Sequence, residues 1–243
     1  NGPLIEYAIL REYAKPYKPK IVLWFYFAND LNNLSYEMQS SILKNYLYNE
    51  NYSQNLIARQ SEIDEVLLKY AKQQRKMEDN KQRERERIAN NSIIKVLKLY
   101  NTRSLIKLIP TGDFKKADNF SLPSAKYTST PIDELFEDIV DKSSRLVSEW
   151  NGRMYFVFLP SYGRYEKNYK HNFSISTRQK ILSIISKLDI PIIDIHKDVF
   201  RKHPDPISLF PFRMNGHYTE EGYRLVANEI ERRLIKDGYN PSK

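Results

Sequence analysis

The chain has 243 residues, 41% of them hydrophobic and 13% aromatic, enough apolar material to fill a core and to exclude a disordered polymer. Its net charge of +9 suits polyanions or anionic surfaces, but no stretch concentrates that charge among aromatic residues as single-strand binders do, so specific nucleic-acid binding is not expected. The lack of cysteine excludes disulfides, thiolate metal sites and a cysteine nucleophile.

The opening Asn1-Gly2-Pro3 has no initiator Met, so the chain reads as a fragment or processed product, with any upstream targeting segment out of view. Residues 4 to 15 place Leu4, Ile5, Ala8 and Ile9 on one face of a short helix stopped by Pro16 and Pro19. Ile21 to Phe27 is an unbroken β-branched and aromatic run, the pattern of a strand covered on both faces in a parallel sheet. Ala28-Asn29-Asp30 follows it abruptly. Ligand crevices of open α/β sheets lie at the carboxyl ends of strands, so this pair is either a site for chemistry or a turn and helix cap.

Residues 31 to 130 break the rhythm. Gln60 to Tyr100 is a long helical candidate, apolar at Ile63, Val66, Leu67 and Tyr70 and again at Ile93, Ile94, Val96 and Leu97, but almost wholly polar from Lys72 to Asn91. A helix polar all round has no core to join. The segment therefore reads as a solvated helical hairpin inserted into the α/β domain, or alternatively as a basic lid or partner-docking arm. No apolar run approaches the ~20 residues that cross a bilayer.

Beyond the insertion, Ile132 to Trp150 carries Leu135, Phe136, Ile139, Val140, Leu146 and Val147 as one helical stripe, opened by Thr130-Pro131 and closed by Asn151-Gly152. Met154 to Leu159 reads as a second strand, ended by Pro160-Ser161-Tyr162-Gly163. A helix is predicted from Ser176 to Leu188 and a third strand from Ile190 to Ile195, where Pro191 marks a strand start or sheet edge. The last helix opens at Thr219 and buries Tyr223, Val226, Ala227, Ile230 and Leu234. Such alternation predicts a parallel sheet with crossover helices.

Few side chains offer chemistry. His217 stands in a glycine-containing loop, Asn215-Gly216-His217-Tyr218-Thr219-Glu220-Glu221-Gly222-Tyr223, just ahead of a capped helix at the crevice edge. Ser161 follows a strand but lacks the Gly-x-Ser-x-Gly context that exposes a nucleophile, and reads as a turn residue. His171, His196 and His203 are scattered without metal-ligand spacing, and His196 reads as a structural histidine.

Taken together, three stretches resemble the SGNH (GDSL-type) hydrolase superfamily, most of all bacterial members with a helical insertion after the third conserved block. Asn1-Gly2-Pro3-Leu4 is similar to the second block, Phe27-Ala28-Asn29-Asp30 to the third, Gly-x-Asn-Asp, and His217 with the residues behind it to the fifth. Phe158-Leu159-Pro160-Ser161 is similar to a strand-ending turn of the group. The match covers residues 1–30 and about 130–236. The resemblance implies a three-layer, flavodoxin-like parallel sheet of order 2-1-3-4-5, with residues 1–243 as a single α/β domain interrupted by a charged helical insertion at 31–130. It implies a serine esterase acting on an O-acylated small molecule or carbohydrate without a cofactor or metal. Gly2 N–H and the Asn29 side chain would be oxyanion donors and His217 the general base. Asp30 would brace the loop.

Two departures matter. The family's nucleophilic serine lies upstream of the second block, so these residues alone are expected to be nearly inactive. The family's acid stands three residues before the histidine, where this chain has Met214; Asp198, Asp205 and Asn215 are close in sequence but differently spaced. A Ser–His dyad would follow, its imidazolium lacking a carboxylate. A degenerate binding or scaffold domain is the competing reading. The strands present would be the last three, leaving residues 21–27 with an unpaired apolar edge that favours self-association. Similar proteins are often associated with the bacterial envelope, and an upstream membrane anchor and the oligomeric state are left open.

Overall fold

The computed structural model describes residues 1–90, 131–166 and 171–239. Strands β1 (Ile21–Tyr26), β2 (Arg153–Phe158) and β3 (Ile192–Asp194) form a parallel sheet in the order β1-β2-β3, with Ile21 opposite Arg153, Tyr26 opposite Phe158, and Phe158 opposite Asp194. The helices follow in chain order: α1 (Pro3–Ile9), α2 (Asp30–Glu37), α3 (Ser41–Tyr48), α4 (Gln60–Asn90), α5 (Ile132–Ser148), α6 (His171–Ser186), α7 (Ile195–Asp198) and α8 (Glu220–Lys236). The protein is thus a mixed α/β structure.

Alternation along β2 explains why its sequence is apolar throughout. Met154, Phe156 and Phe158 join Trp24 and Tyr26 in one core with Leu4 and Tyr7 of α1, Phe136, Ile139 and Val147 of α5, and Ile181 and Ile185 of α6. Tyr155, Val157 and Ile193 point the other way, into a core with Phe200, Phe210, Tyr218 and, from α8, Val226 and Ile230. A strand buried on both faces cannot alternate polar and apolar residues.

Element ends follow local chemistry. Helix α5 closes with Asn151 in the left-handed region (φ 61°), and the Trp150 indole donates to the Pro19 carbonyl at 3.0 Å. The third strand is shorter than the predicted 190–195, because the Asp194 carboxylate accepts the Lys197 N–H at 3.2 Å and turns the chain into α7. Helix α6 starts five residues before the predicted Ser176.

The chain divides into two compact units, residues 1–54 with 125–243, and residues 55–124. Residues 31–48, expected within the insertion, belong to α2 and α3, packed on α1 in the first unit. In the second unit α4 is a 31-residue helix on which Val66, Leu67, Leu68 and Tyr70 are exposed. The predicted continuation to Tyr100 and the return of the hairpin lie outside the described residues. None of the described helices is long and apolar enough to cross a membrane.

What holds residues 46–54 is a pair of side chains from a π-helical turn, Leu10–Ala14, that extends α1. The Arg11 guanidinium donates to the carbonyls of Tyr46 (2.6 Å), in the last turn of α3, and of Asn49 (3.2 Å), Glu50 (2.6 Å) and Tyr52 (2.7 Å) beyond it, where carbonyls lack helical partners. Its neighbour Glu12, buried, accepts from the Tyr46 hydroxyl (2.6 Å), the Ser53 hydroxyl (2.9 Å) and the Gln54 N–H (2.7 Å).

Two outcomes are expected. Arg11→Ala should destabilise the protein by about 2 kcal/mol in urea unfolding, since charge-assisted hydrogen bonds are lost and no other side chain has a fork of this shape; an unchanged midpoint and slope would contradict the clamp. Among the described residues no strand pairs with the outer edge of β1, where Phe25 is 39% exposed beside an apolar groove of about 490 Å³ lined by Leu23, Ile230, Leu234 and Tyr239. The chain should therefore self-associate in sedimentation velocity, and Phe25→Lys should reduce that association. A monomer at all concentrations would show the edge to be inert.

Candidate active site

Chemistry in a parallel sheet belongs at the carboxyl ends of its strands, and the residues singled out above fall there or against the helix that starts there. After β1, the chain turns through Phe27–Asn29 into α2. Asp30 braces this turn, one carboxylate oxygen accepting the Phe27 N–H at 2.8 Å. Asp30 is buried, and burial pushes its carboxyl up to about 7 against the opposing pull of that N–H. Asn29 sits at the helix start but does not cap it, leaving its exposed side-chain amide for other partners.

Gly2 lies flush against α2. A Cβ there would stand 2.7 Å from Asn33 Cβ and 2.8 Å from the Glu37 carboxyl carbon, closer than side-chain atoms approach. Asn33 is one turn beyond Asn29, about 6 Å along the helix. The Gly2 N–H donates to Glu37 Oε1 at 2.6 Å and the Leu4 N–H to Oε2 at 3.0 Å, so a carboxylate from α2 caps the start of α1. Burial raises Glu37 as well, opposed by these amides. Half-buried Glu6 completes a carboxyl cluster and is pushed up to about 8, by burial first and then by Asp30 and Glu37.

His217 is placed by its neighbour. The Tyr218 hydroxyl donates to the Pro160 carbonyl at 2.6 Å, two residues past the end of β2, and its ring packs against Phe200 (4.9 Å), Phe210 (5.4 Å) and Tyr223 (5.5 Å). Thr219 caps α8 by accepting the Gly222 N–H at 3.1 Å and donates its own N–H to the Leu209 carbonyl at 2.9 Å. Glycine at 222 permits this closeness, since a Cβ would lie 2.9 Å from that same carbonyl. The His217 ring is exposed, and among the described residues no carboxylate bonds to it. Met214 is 61% exposed, Asp205 is taken by Arg213 through two hydrogen bonds (2.6 and 3.0 Å), and Asp198 faces Lys202 at 3.8 Å. Ser161 has ordinary extended backbone (φ −84°, ψ 158°), without the strain of a nucleophile elbow.

A second cluster at the ends of β2 and β3 escaped sequence reasoning. Arg178 of α6 forks the buried Asp194, and the guanidinium groups of Arg164 and Arg178 both lie over the Phe158 ring, at 5.9 and 6.0 Å. Tyr165 Oη and His196 Nδ1 are 2.8 Å apart. Burial, then the two arginines, push His196 down to about 4, so its ring is neutral. Asp194-Ile195-His196 was visible at a strand end, but the arginines that give it meaning come from other elements. Among the described residues no group of three or more His, Asp or Glu side chains is arranged to hold a metal.

No family model matches the chain, and no characterised protein or solved structure is detectably similar to it.

The site's titrations fix a pH dependence. For Glu6 and Asp30, ordinary values of 4.5 and 3.8 rise to about 8 and about 7 on folding, so the native state holds protons that the unfolded chain releases, and stability falls as pH rises across that window. His196 acts oppositely: its contribution is complete above its ordinary 6.5 and is lost as pH falls through about 4. Between pH 6.5 and 8 only the carboxyls act. Tm should decline over that interval and Glu6→Gln should flatten the decline; a Tm that rises there would contradict the cluster.

Proposed function

We propose that the chain carries the oxyanion donors and general base of an SGNH-type serine esterase, built on a flavodoxin-like sheet of which β1, β2 and β3 are the last three strands. Its substrate is an O-acylated small molecule or carbohydrate. The observation that carries the reading is topological. Asn29 lies three residues past the end of β1, and His217 adjoins the tyrosine bonded to Pro160, two residues past the end of β2, the neighbouring parallel strand.

In this reading a serine outside the 243 residues attacks the ester carbonyl carbon, and His217 takes its proton. The carbonyl π bond breaks toward oxygen, and the resulting oxyanion accepts hydrogen bonds from the Asn29 amide and the Gly2 N–H. Collapse expels the alcohol, which leaves with the proton from His217, and water then cleaves the acyl-enzyme by the same route. Gly2 can serve only by exchanging the Glu37 carboxylate for the oxyanion. That engaged amide, and the histidine without a carboxylate, favour a second reading, a degenerate SGNH-like domain that binds acylated ligands without turning them over.

p-Nitrophenyl acetate hydrolysis by the full-length protein separates the two. His217→Ala should lower kcat by about 10²–10⁴ and Asn29→Ala by about 10²–10³. Equal rates in parent and His217→Ala would remove the base assignment, and no hydrolysis by the parent would favour the binding domain.

A further inference from the structure

From Ser61 to Ile88 helix α4 is exposed on every side except at half-buried Ile63 and Gln74, so its sequence and the helical repeat decide what it presents. Lys69, Lys72, Lys76, Asn80, Arg83 and Arg87 follow one another at intervals of three or four residues. That spacing sets five cations in one row about 27 Å long. The surface arginines of α5 and α8 are treated differently: Arg145 pairs with Asp141, Arg224 with Glu221 and Arg232 with Glu229. Among the described residues, Arg87 alone in the α4 row has a carboxylate in reach, Glu84 at 3.9 Å, and Asp79 beside the row pairs with none of it. Like charges one turn apart destabilise a helix, so the row repels itself until an outside anion screens it.

A second row lies about a third of a turn away. Val66, Tyr70 and Met77 are 62%, 58% and 47% exposed, and they continue the line of Ile63. The two carboxylates between the rows are each paired with an arginine, Glu62 with Arg59 and Glu84 with Arg87. A nucleic-acid backbone would take up the cations and leave the apolar row in water. A bilayer rich in anionic lipid takes both. Its headgroups hold the charges, its acyl boundary receives the apolar side chains, and lysine stems are long enough to reach from one level to the other.

We propose that α4 is a docking surface for anionic lipid membranes, lying along the bilayer with its basic row on the headgroups and Val66, Tyr70 and Met77 in the acyl boundary. The surface stands independently of the esterase reading. The test is flotation of the 243-residue chain with vesicles of phosphatidylcholine, alone or mixed with phosphatidylglycerol, at low and high salt. The chain should float only with the mixed vesicles, and less of it as salt rises. Lys72→Gln/Lys76→Gln should weaken partitioning roughly 25-fold, about fivefold for each charge removed, while Lys72→Arg/Lys76→Arg should retain it. Val66→Ser/Met77→Ser should weaken it roughly tenfold at either salt. Helix content by circular dichroism should match the parent in all three, because none of these side chains is buried. Equal flotation with phosphatidylcholine alone, or of the parent and the glutamine variant, would overturn the surface. No loss in the serine variant would show that charge alone is read and would overturn the membrane; tight binding of that variant to duplex DNA would then assign the row to nucleic acid.

Discussion

Proline ends β2 in a way that shapes everything above it. The Leu159 N–H still donates to the Tyr26 carbonyl at 2.9 Å, but Pro160 has no N–H to continue the ladder, and its carbonyl turns instead to the Tyr218 hydroxyl. Burial holds that hydroxyl protonated far above neutral pH, so it remains a donor. From Val199 to Thr219 the chain has only short 3-10 turns, and its order comes from rings packed around this one hydrogen bond: Tyr165, Phe200, Phe210 and Tyr218. The position of His217 and the start of α8 both depend on it. A buried donor or acceptor left unmade there would cost about 1–3 kcal/mol, which is why the contact is decisive even though its net worth is modest.

The carboxyl-end rim is electrically divided. Beyond β1 stand Glu6, Asp30 and Glu37, carboxyls that burial drives toward the protonated form. Beyond β2 and β3 stand Arg164, Arg178 and a neutral His196 around one carboxylate, Asp194. The Arg178–Asp194 pair is weak evidence for added stability, since desolvation offsets attraction, but losing either partner would strand the other charge. Its role is to fix α6 against the end of β3. The acidic side is different: its members repel, and the helix starts and backbone amides around them are what make the arrangement tolerable.

Much of this architecture was legible because burial writes itself into composition. Met154–Phe158 is apolar and buried on both faces, so it announces its strand, and the stripe of α5 and the Thr219 cap of α8 are equally plain. Ile21–Tyr26 is a strand as expected but is not covered on both faces: Trp24 and Tyr26 are buried, while Ile21 and Leu23 on the other face are half-buried and Phe25 is exposed. The short helices α2 and α3 were not legible. Each is only eight residues long, too short for a helical period to stand out, and what fixes them is Glu37 reaching Gly2 and Arg11 reaching Tyr46, contacts across 35 residues each. The site divides the same way. Asn29 and His217 stand out by position beside a strand end and a cap, whereas Glu6, Arg164 and Arg178 gain meaning only from neighbours supplied by tertiary structure.

The Arg11–Glu12 knot has a bearing on how this chain tolerates change. It ends at Gln54, the last residue of the first compact unit before the 55–124 unit begins. The point at which the chain leaves the first unit is held by side chains of the amino-terminal helix. A change of length beyond Gln54 therefore leaves in place the four carbonyl contacts of Arg11, whose partners all precede it.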